Sequence, residues 1–297
     1  MTRVLAVLAL AVALHVAPAA ALTVTDQTGR QITLPAAPAR IISLVPSVTE
    51  ILFSIGAQQR LVGVTDFCDY PAEARRKPHV GGMLAPSLEG MVSLKPDLVV
   101  ATSAGNRQET FDQLERLRIP VYVVNPMTVA DVLDLVGRLG RLTDHVEAAD
   151  RAVAALRERV RAVSSRVEGR RRPRVLYVLW PDPLIVPGRG SLVSELIGLA
   201  GGESVTADGG EGYPRYSLEA ALARNPEIIV LASHGSERTP LSRDKWERLR
   251  QVPAIAAGRL YTIDGNLTHR YGPRIVDGLE RLARLIHPEV FDRVESR

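Results

Sequence analysis

Histidines and carboxylates are the side chains from which this chain would have to build chemistry, and their spacing assembles no familiar catalytic centre. Beyond the first 21 residues there are five histidines, His79, His145, His234, His269 and His287. None has the i, i+4 or tight-loop spacing of a dedicated zinc site. His79, His234 and His269 fall after predicted strands or beside Gly and Pro, where open α/β sheets gather ligands, and His269 is kept as a candidate. Cys68 is the sole cysteine, with no His and acid partners by motif, and Asp66 and Asp69 share a loop. A G-x-S-x-G elbow, an H-E-x-x-H helix and a phosphate-cradling glycine loop are all missing. We therefore expect no catalytic residues, no bound metal and no cofactor; the alternative of a different class is a two-lobed metalloenzyme.

The most informative carboxylates come as a matched pair. Ser87-Leu88-Glu89, six residues, then Pro96-Asp97-Leu98-Val99-Val100 returns at a constant offset as Ser217-Leu218-Glu219, six residues, then Pro226-Glu227-Ile228-Ile229-Val230. One supersecondary unit is used twice, which reads as two similar lobes. Serine at each N-cap puts Glu89 and Glu219 in a first helical turn, where a negative side chain interacts favourably with the helix dipole. The same pair, one acid per lobe, also suits docking on a partner with two-fold symmetry through bidentate arginine contacts. The repeat alone leaves both readings open.

The elements that must hold these residues alternate between strand and helix. Strands are predicted at 40–45, 61–65, 97–102, 121–124, 174–179 and 259–263. Helices are predicted from a Ser47–Glu50 capping box to Gly56, from Ser87, over 107–118, from Ser191 to Gly201-Gly202, from Ser217, and over Pro273–Ile286 with proline at the first position. Such alternation implies mostly parallel sheets covered by helices. The stretch 144–168 differs: Val146, Ala149, Val153, Leu156, Val160, Val163 and Val167 form one apolar stripe on an otherwise charged helix. It would run roughly 37 Å at about 1.5 Å per residue, the length of a strut. The expected fold is α/β: two lobes with mostly parallel sheets flanked by helices, an N-terminal lobe over 22–143, a bridging helix over 144–169 and a C-terminal lobe over 170–297.

Composition limits the role further. Arg3, the apolar run Val4–Val16 and the small residues 17–21 read as a secretory signal peptide over 1–21. No cysteine near that point can carry a lipid anchor, and a periplasmic location is expected. With one cysteine the fold must rest on apolar burial, not on an internal disulfide. The formal charge of +4 comes from dispersed arginines, with lysine only at 77, 95 and 245, and aromatic interleaving is lacking. Nucleic-acid binding is therefore not expected.

A set of motifs carries a family resemblance: Pro46-Ser47-Val48-Thr49-Glu50 after a strand, Val62-Gly63-Val64, Asp69-Tyr70-Pro71, Gly81-Gly82, Ser87-Leu88-Glu89 with Leu94-Lys95-Pro96-Asp97-Leu98-Val99, and Gly105-Asn106. Across the chain after residue 21 it resembles the class III periplasmic substrate-binding proteins of ABC importers. The resemblance implies two lobes bridged by one backbone helix, a ligand in the cleft with little hinge motion, and a monomer that docks on an inner-membrane permease dimer through Glu89 and Glu219. It implies a corrinoid (cobalamin-type) ligand, with Phe67 and Tyr213 at aromatic positions, Trp180 near another, and Arg270 as a polar contact. The implied ligand-binding set is Pro46, Phe67, Asp69, Asn106, Trp180, Tyr213, Asn266, His269 and Arg270. Other chelates within the family are haem, through His269, Tyr271 or Tyr213, and ferric siderophores, through Arg107, Arg215 and Arg270.

Overall fold

The computed structural model describes residues 21–233 and 246–291; residues 1–20 of the predicted leader and His234 lie outside the described residues. A short antiparallel hairpin, β1 (Leu22–Thr25) and β2 (Gln31–Leu34), precedes the first lobe. That lobe is built on β3 (Ile41–Ser43), β4 (Leu61–Val64), β5 (Leu98–Thr102) and β6 (Val121–Val124), which pair in parallel in the order β4-β3-β5-β6. Every residue of β5 and β6 is buried. Helices cover both faces of such a sheet, so its strands read as unbroken apolar runs instead of alternating ones.

The second lobe repeats the plan. Strands β7 (Arg174–Val178), β10 (Glu203–Ser204), β11 (Ile228–Ser233) and β12 (Leu260–Asp264) form a parallel sheet in the order β10-β7-β11-β12, with a two-stranded hairpin of β8 (Trp180–Pro181) and β9 (Leu184–Ile185) at its side. The repeated sequence folds into the same unit twice. Ser87 caps α2 (Leu88–Ser93) by accepting from the Gly90 N–H, and Ser217 caps α7 (Leu218–Ala223) by accepting from the Ala220 N–H. The chain then turns through left-handed residues at equivalent places, Lys95 (φ 46°) and Asn225 (φ 50°). Asparagine adopts that conformation readily, whereas it costs lysine about 1 kcal/mol.

Next comes an acid that sews each copy to its neighbouring strand. Asp97 accepts from the Ala39 and Arg40 N–H groups, and Glu227 accepts from the Arg174 N–H. Arginine side chains answer in both lobes, Arg40 donating to the Lys95 carbonyl and Arg174 to that of Asn225.

Two helix starts differ from the sequence expectation. Helix α1 (Pro46–Ser54) is capped by no side chain; Val45 is its N-cap and proline sits in the first turn. Glu50 is 3% exposed and reaches an arginine of the other lobe instead of its own backbone. The C-terminal helix begins at Ile275, two residues after Pro273. The capping box that does form, Thr128 with Asp131, starts α4 (Val129–Leu142), a helix the sequence reading did not single out.

Helix α5 spans Val146–Val167, about 33 Å at 1.5 Å per residue. Ala149, Val153, Leu156, Val163 and Val167 are buried, whereas Val146, at the head of the stripe, is exposed. The stripe packs on α4 at one end and on α6 (Leu192–Leu199) and the helix Ile275–Ile286 at the other. Arg159 adds ion pairs to Asp277 (2.6 Å) and Glu280 (2.8 Å). One continuous apolar cluster runs from Ile51 and Leu135 through Val153 and Leu156 to Tyr177, Leu196 and Leu279. The stripe is thus consumed within the chain. Among the described residues no helix is long and apolar enough to cross a membrane.

Candidate functional site

A cleft of about 490 Å3 opens where the carboxyl ends of both sheets face each other. Its first wall comes from the ends of successive strands and the segments leaving them: Val45–Ser47 after β3, Phe67 after β4, Thr102 at the end of β5 with Gly105 beyond it, and Val124 at the end of β6 with Asn125–Met127 beyond it. The opposite wall is Tyr213 with His269, Arg270 and Tyr271, which follow β12, and Ser191 at the N-cap of α6. Loops at strand carboxyl ends are where open parallel sheets gather ligands. The volume lies in the range of about 300–1,000 Å3 typical of small-molecule sites.

The first wall is apolar. Phe67, 55% exposed, stands at the rim with Met83 and Met127, and Pro46 and Pro126 contribute rigid apolar surface. The second wall is aromatic and polar. Tyr177 hydroxyl is hydrogen-bonded to Thr268 Oγ1 (2.7 Å) and His269 Nε2 (3.0 Å), and Tyr213 and Tyr271 share a hydroxyl contact of 3.3 Å. His269 meets Tyr177 and Tyr213 edge to face, at centroid distances of 5.6 and 6.4 Å. Burial pushes the phenols of Tyr177, Tyr213 and Tyr271 upward, so all three stay protonated near neutrality.

At the cleft floor the lobes are joined by charge. Arg274 donates to both Glu50 oxygens, at 2.9 Å from Nε and 2.6 Å from Nη2, and its guanidinium lies 3.8 Å from the centre of the Tyr70 ring. Arg270 pairs with Asp69 and stands 3.6 Å from Glu50. Partial burial pushes the Asp69 carboxyl up, but the hydrogen bond and charge of Arg270 outweigh it and hold the group below the usual carboxylate range. Gly272 packs against Ser47 and Glu50; a Cβ there would lie 3.3 Å from Ser47 Cα, so the two lobes meet at backbone distance. On the other flank Glu195 of α6 accepts from the Val129 N–H (2.9 Å) at the start of α4.

The structure thus brings Pro46, Phe67, Tyr213, His269 and Arg270 together on the cleft. Asp69 lies behind Arg270 as its counter-ion. Asn106 is buried, taking the Thr102 N–H and donating to the Met83 carbonyl (2.7 Å), which fixes the loop after β5. Trp180 projects from the β8–β9 hairpin with its indole N–H on the Asp182 carbonyl, and Asn266 opens the short helix Asn266–His269; neither lines the cleft. Arg107 and Arg215 are exposed and also off its lining. The sequence reading missed Asn125, Met127 and Ser191, although the first two directly follow β6 and the last is a serine N-cap.

Among the described residues no group of three or more His, Cys, Asp or Glu is placed to hold a metal ion. Cys68 is buried beside Thr49 and Thr65, and burial pushes its thiol pKa up, away from nucleophile chemistry. Glu89 and Glu219 are both exposed, in the first turns of α2 and α7, one in each lobe. Ser217 donates to Glu219 (2.7 Å) and lowers its pKa.

Residues 41–267 match the family described as Periplasmic binding protein. The vitamin B12-binding protein of Yersinia pestis (strain Pestoides F) is 31% identical over 254 residues, covering 85% of this chain and 88% of that relative. Among solved structures, the periplasmic vitamin B12 binding protein of Vibrio cholerae superposes with a TM-score of 0.75 at 26% identity, over 85% of this chain and 98% of that one. The periplasmic heme-binding protein of Roseiflexus sp. RS-1 in apo form superposes with a TM-score of 0.75 at 25% identity, over 84% of this chain and 98% of that one.

Proposed function

Because the chain belongs to the periplasmic binding protein family, we propose that it is the substrate-binding component of an ABC importer, capturing a corrinoid of the cobalamin type in the cleft between its lobes. The observation that carries this reading is the cleft: an apolar first wall facing a tyrosine-rich second wall, surfaces of the kind that pack on a flat organic chelate. In this reading the protein catalyses no reaction, works as a monomer in the periplasm after loss of residues 1–21, and consists of lobes over 22–143 and 170–297 joined by the helix region 144–169. Glu89 and Glu219 present one carboxylate per lobe to arginines of a permease dimer. Their first-turn placement in α2 and α7, favourable to the helix dipole, is compatible with that, since both residues are exposed.

The test is calorimetric titration of the mature protein with cobalamin, cobinamide, haemin and a ferric siderophore. Saturable binding of the two corrinoids, tighter than that of haemin and siderophore, is the expected result, and absence of corrinoid binding overturns the reading. A haem reading is favoured by one specific observation, the grouping of Tyr213, Tyr271 and His269 on one wall, where an oxygen or nitrogen ligand for iron would be within reach. A saturable shift and sharpening of the Soret band on haemin titration, with no heat from corrinoids, would select it.

A further inference from the structure

The charges at the cleft floor carry an inference about which chelates the site admits, resting on the corrinoid reading above. Arg270 is the one arginine or lysine among the described residues that line the cleft. It is not available as a free cation. Asp69, from the loop after β4 in the opposite lobe, engages its Nη1, and Glu50 Oε1 lies 3.6 Å away. Glu50 is already engaged at both oxygens by the two-armed contact from Arg274. The floor therefore holds two guanidinium groups and two carboxylates.

A ligand carboxylate approaching Arg270 either displaces Asp69 from Nη1 or takes the remaining N–H groups with Asp69 still in place. Either way a third negative charge joins Glu50 and Asp69 against two positive ones. A ligand filling the cleft displaces water from the apolar first wall, and that repulsion grows as water leaves. A ligand with an amide periphery meets no such obstacle. Asp69 is 38% exposed, and its carboxylate can accept an amide N–H while still holding the arginine.

We propose that Asp69 is a specificity residue: by holding Arg270 in an ion pair across the lobes it withholds that cation from incoming carboxylates, so the cleft selects chelates with an uncharged, amide-type periphery over chelates bearing ionised carboxylates. Asp69 does this through Arg270 and makes the site discriminate by charge as well as by shape.

The experiment titrates wild type, Asp69→Asn, Asp69→Glu and the double variant Asp69→Asn/Arg270→Gln with dicyanocobinamide, haemin and haemin dimethyl ester. Asp69→Asn should raise the ratio of haemin to cobinamide affinity by about tenfold, the size expected when one charge-assisted contact is released to a ligand. Asp69→Glu keeps the charge and should keep the wild-type ratio. The ester should gain nothing, and the double variant should lose the gain. An unchanged ratio in Asp69→Asn, an equal gain for the ester, or a gain that persists without Arg270 overturns the proposal. If wild type binds no corrinoid, the functional reading fails instead; the contrast between haemin and its ester across the variants still reports whether Asp69 masks Arg270. Circular dichroism and melting curves of each variant confirm that folded protein is compared.

Discussion

Glu50 and Arg274, 224 residues apart in sequence, form a two-armed ion pair across the base of the cleft, with the Glu50 side chain only 2% exposed. Its geometry satisfies both carboxylate oxygens, and the Tyr70 ring covers the other side of the guanidinium.

Breaking that pair from one side should be costly. Arg274→Ala leaves a carboxylate buried without its partner, and a loss of about 3–5 kcal/mol in urea unfolding is expected. Replacing both partners, Glu50→Leu with Arg274→Met, should recover most of it. A single variant as stable as wild type would mean that Glu50 finds water or another cation.

Docking and ligand capture should separate. Glu89→Ala with Glu219→Ala should abolish uptake in cells that depend on the protein, while ligand affinity of the purified variant stays within about threefold, since both side chains are exposed away from the cleft. Lost ligand affinity would contradict the assignment.

Leu156 sits 8% exposed at the middle of α5, in the core shared by both lobes. Leu156→Ala should cost about 2–5 kcal/mol, and the melt should remain a single transition. Two resolved transitions would show that the lobes unfold separately.

Acid should weaken the link between the lobes. The Asp69 pKa is lowered in the folded protein, so its contribution is fully present above the unfolded value of about 3.9 and is lost as pH falls through the lower folded value. Urea midpoints between pH 6 and pH 3 should therefore fall less for Asp69→Asn than for wild type. Because Asp69 is more than a third exposed, solvent screening keeps this difference small.

Cys68 is 1% exposed, and burial raises the pKa of its thiol. It should react with a thiol reagent such as DTNB at the rate of unfolding in native buffer and immediately in urea. Fast labelling of native protein would show that the loop between β4 and Ala72–Arg76 opens readily.

What the sequence made legible was local. The serine caps at Ser87 and Ser217 and the Pro-acid step before β5 and β11 act within a few residues, so their duplication predicts two matching units directly. The buried parallel strands announce themselves as apolar runs. Glu50 misled because Ser47 and Glu50 satisfy the capping spacing, while the partner that decides its orientation lies at the far end of the chain. Asn125, Met127 and Ser191 escaped notice for a related reason: nothing about an asparagine, a methionine or a serine marks it until two lobes close around it.

The apolar cluster threading α5 also determines what it takes to part the two sheets. Separating them would strip Leu156 and Val163 of their neighbours and pull Glu195 from the start of α4, in addition to snapping the Glu50–Arg274 clasp. The spacing of the two walls is therefore set by a shared apolar seam as much as by the charges beneath it.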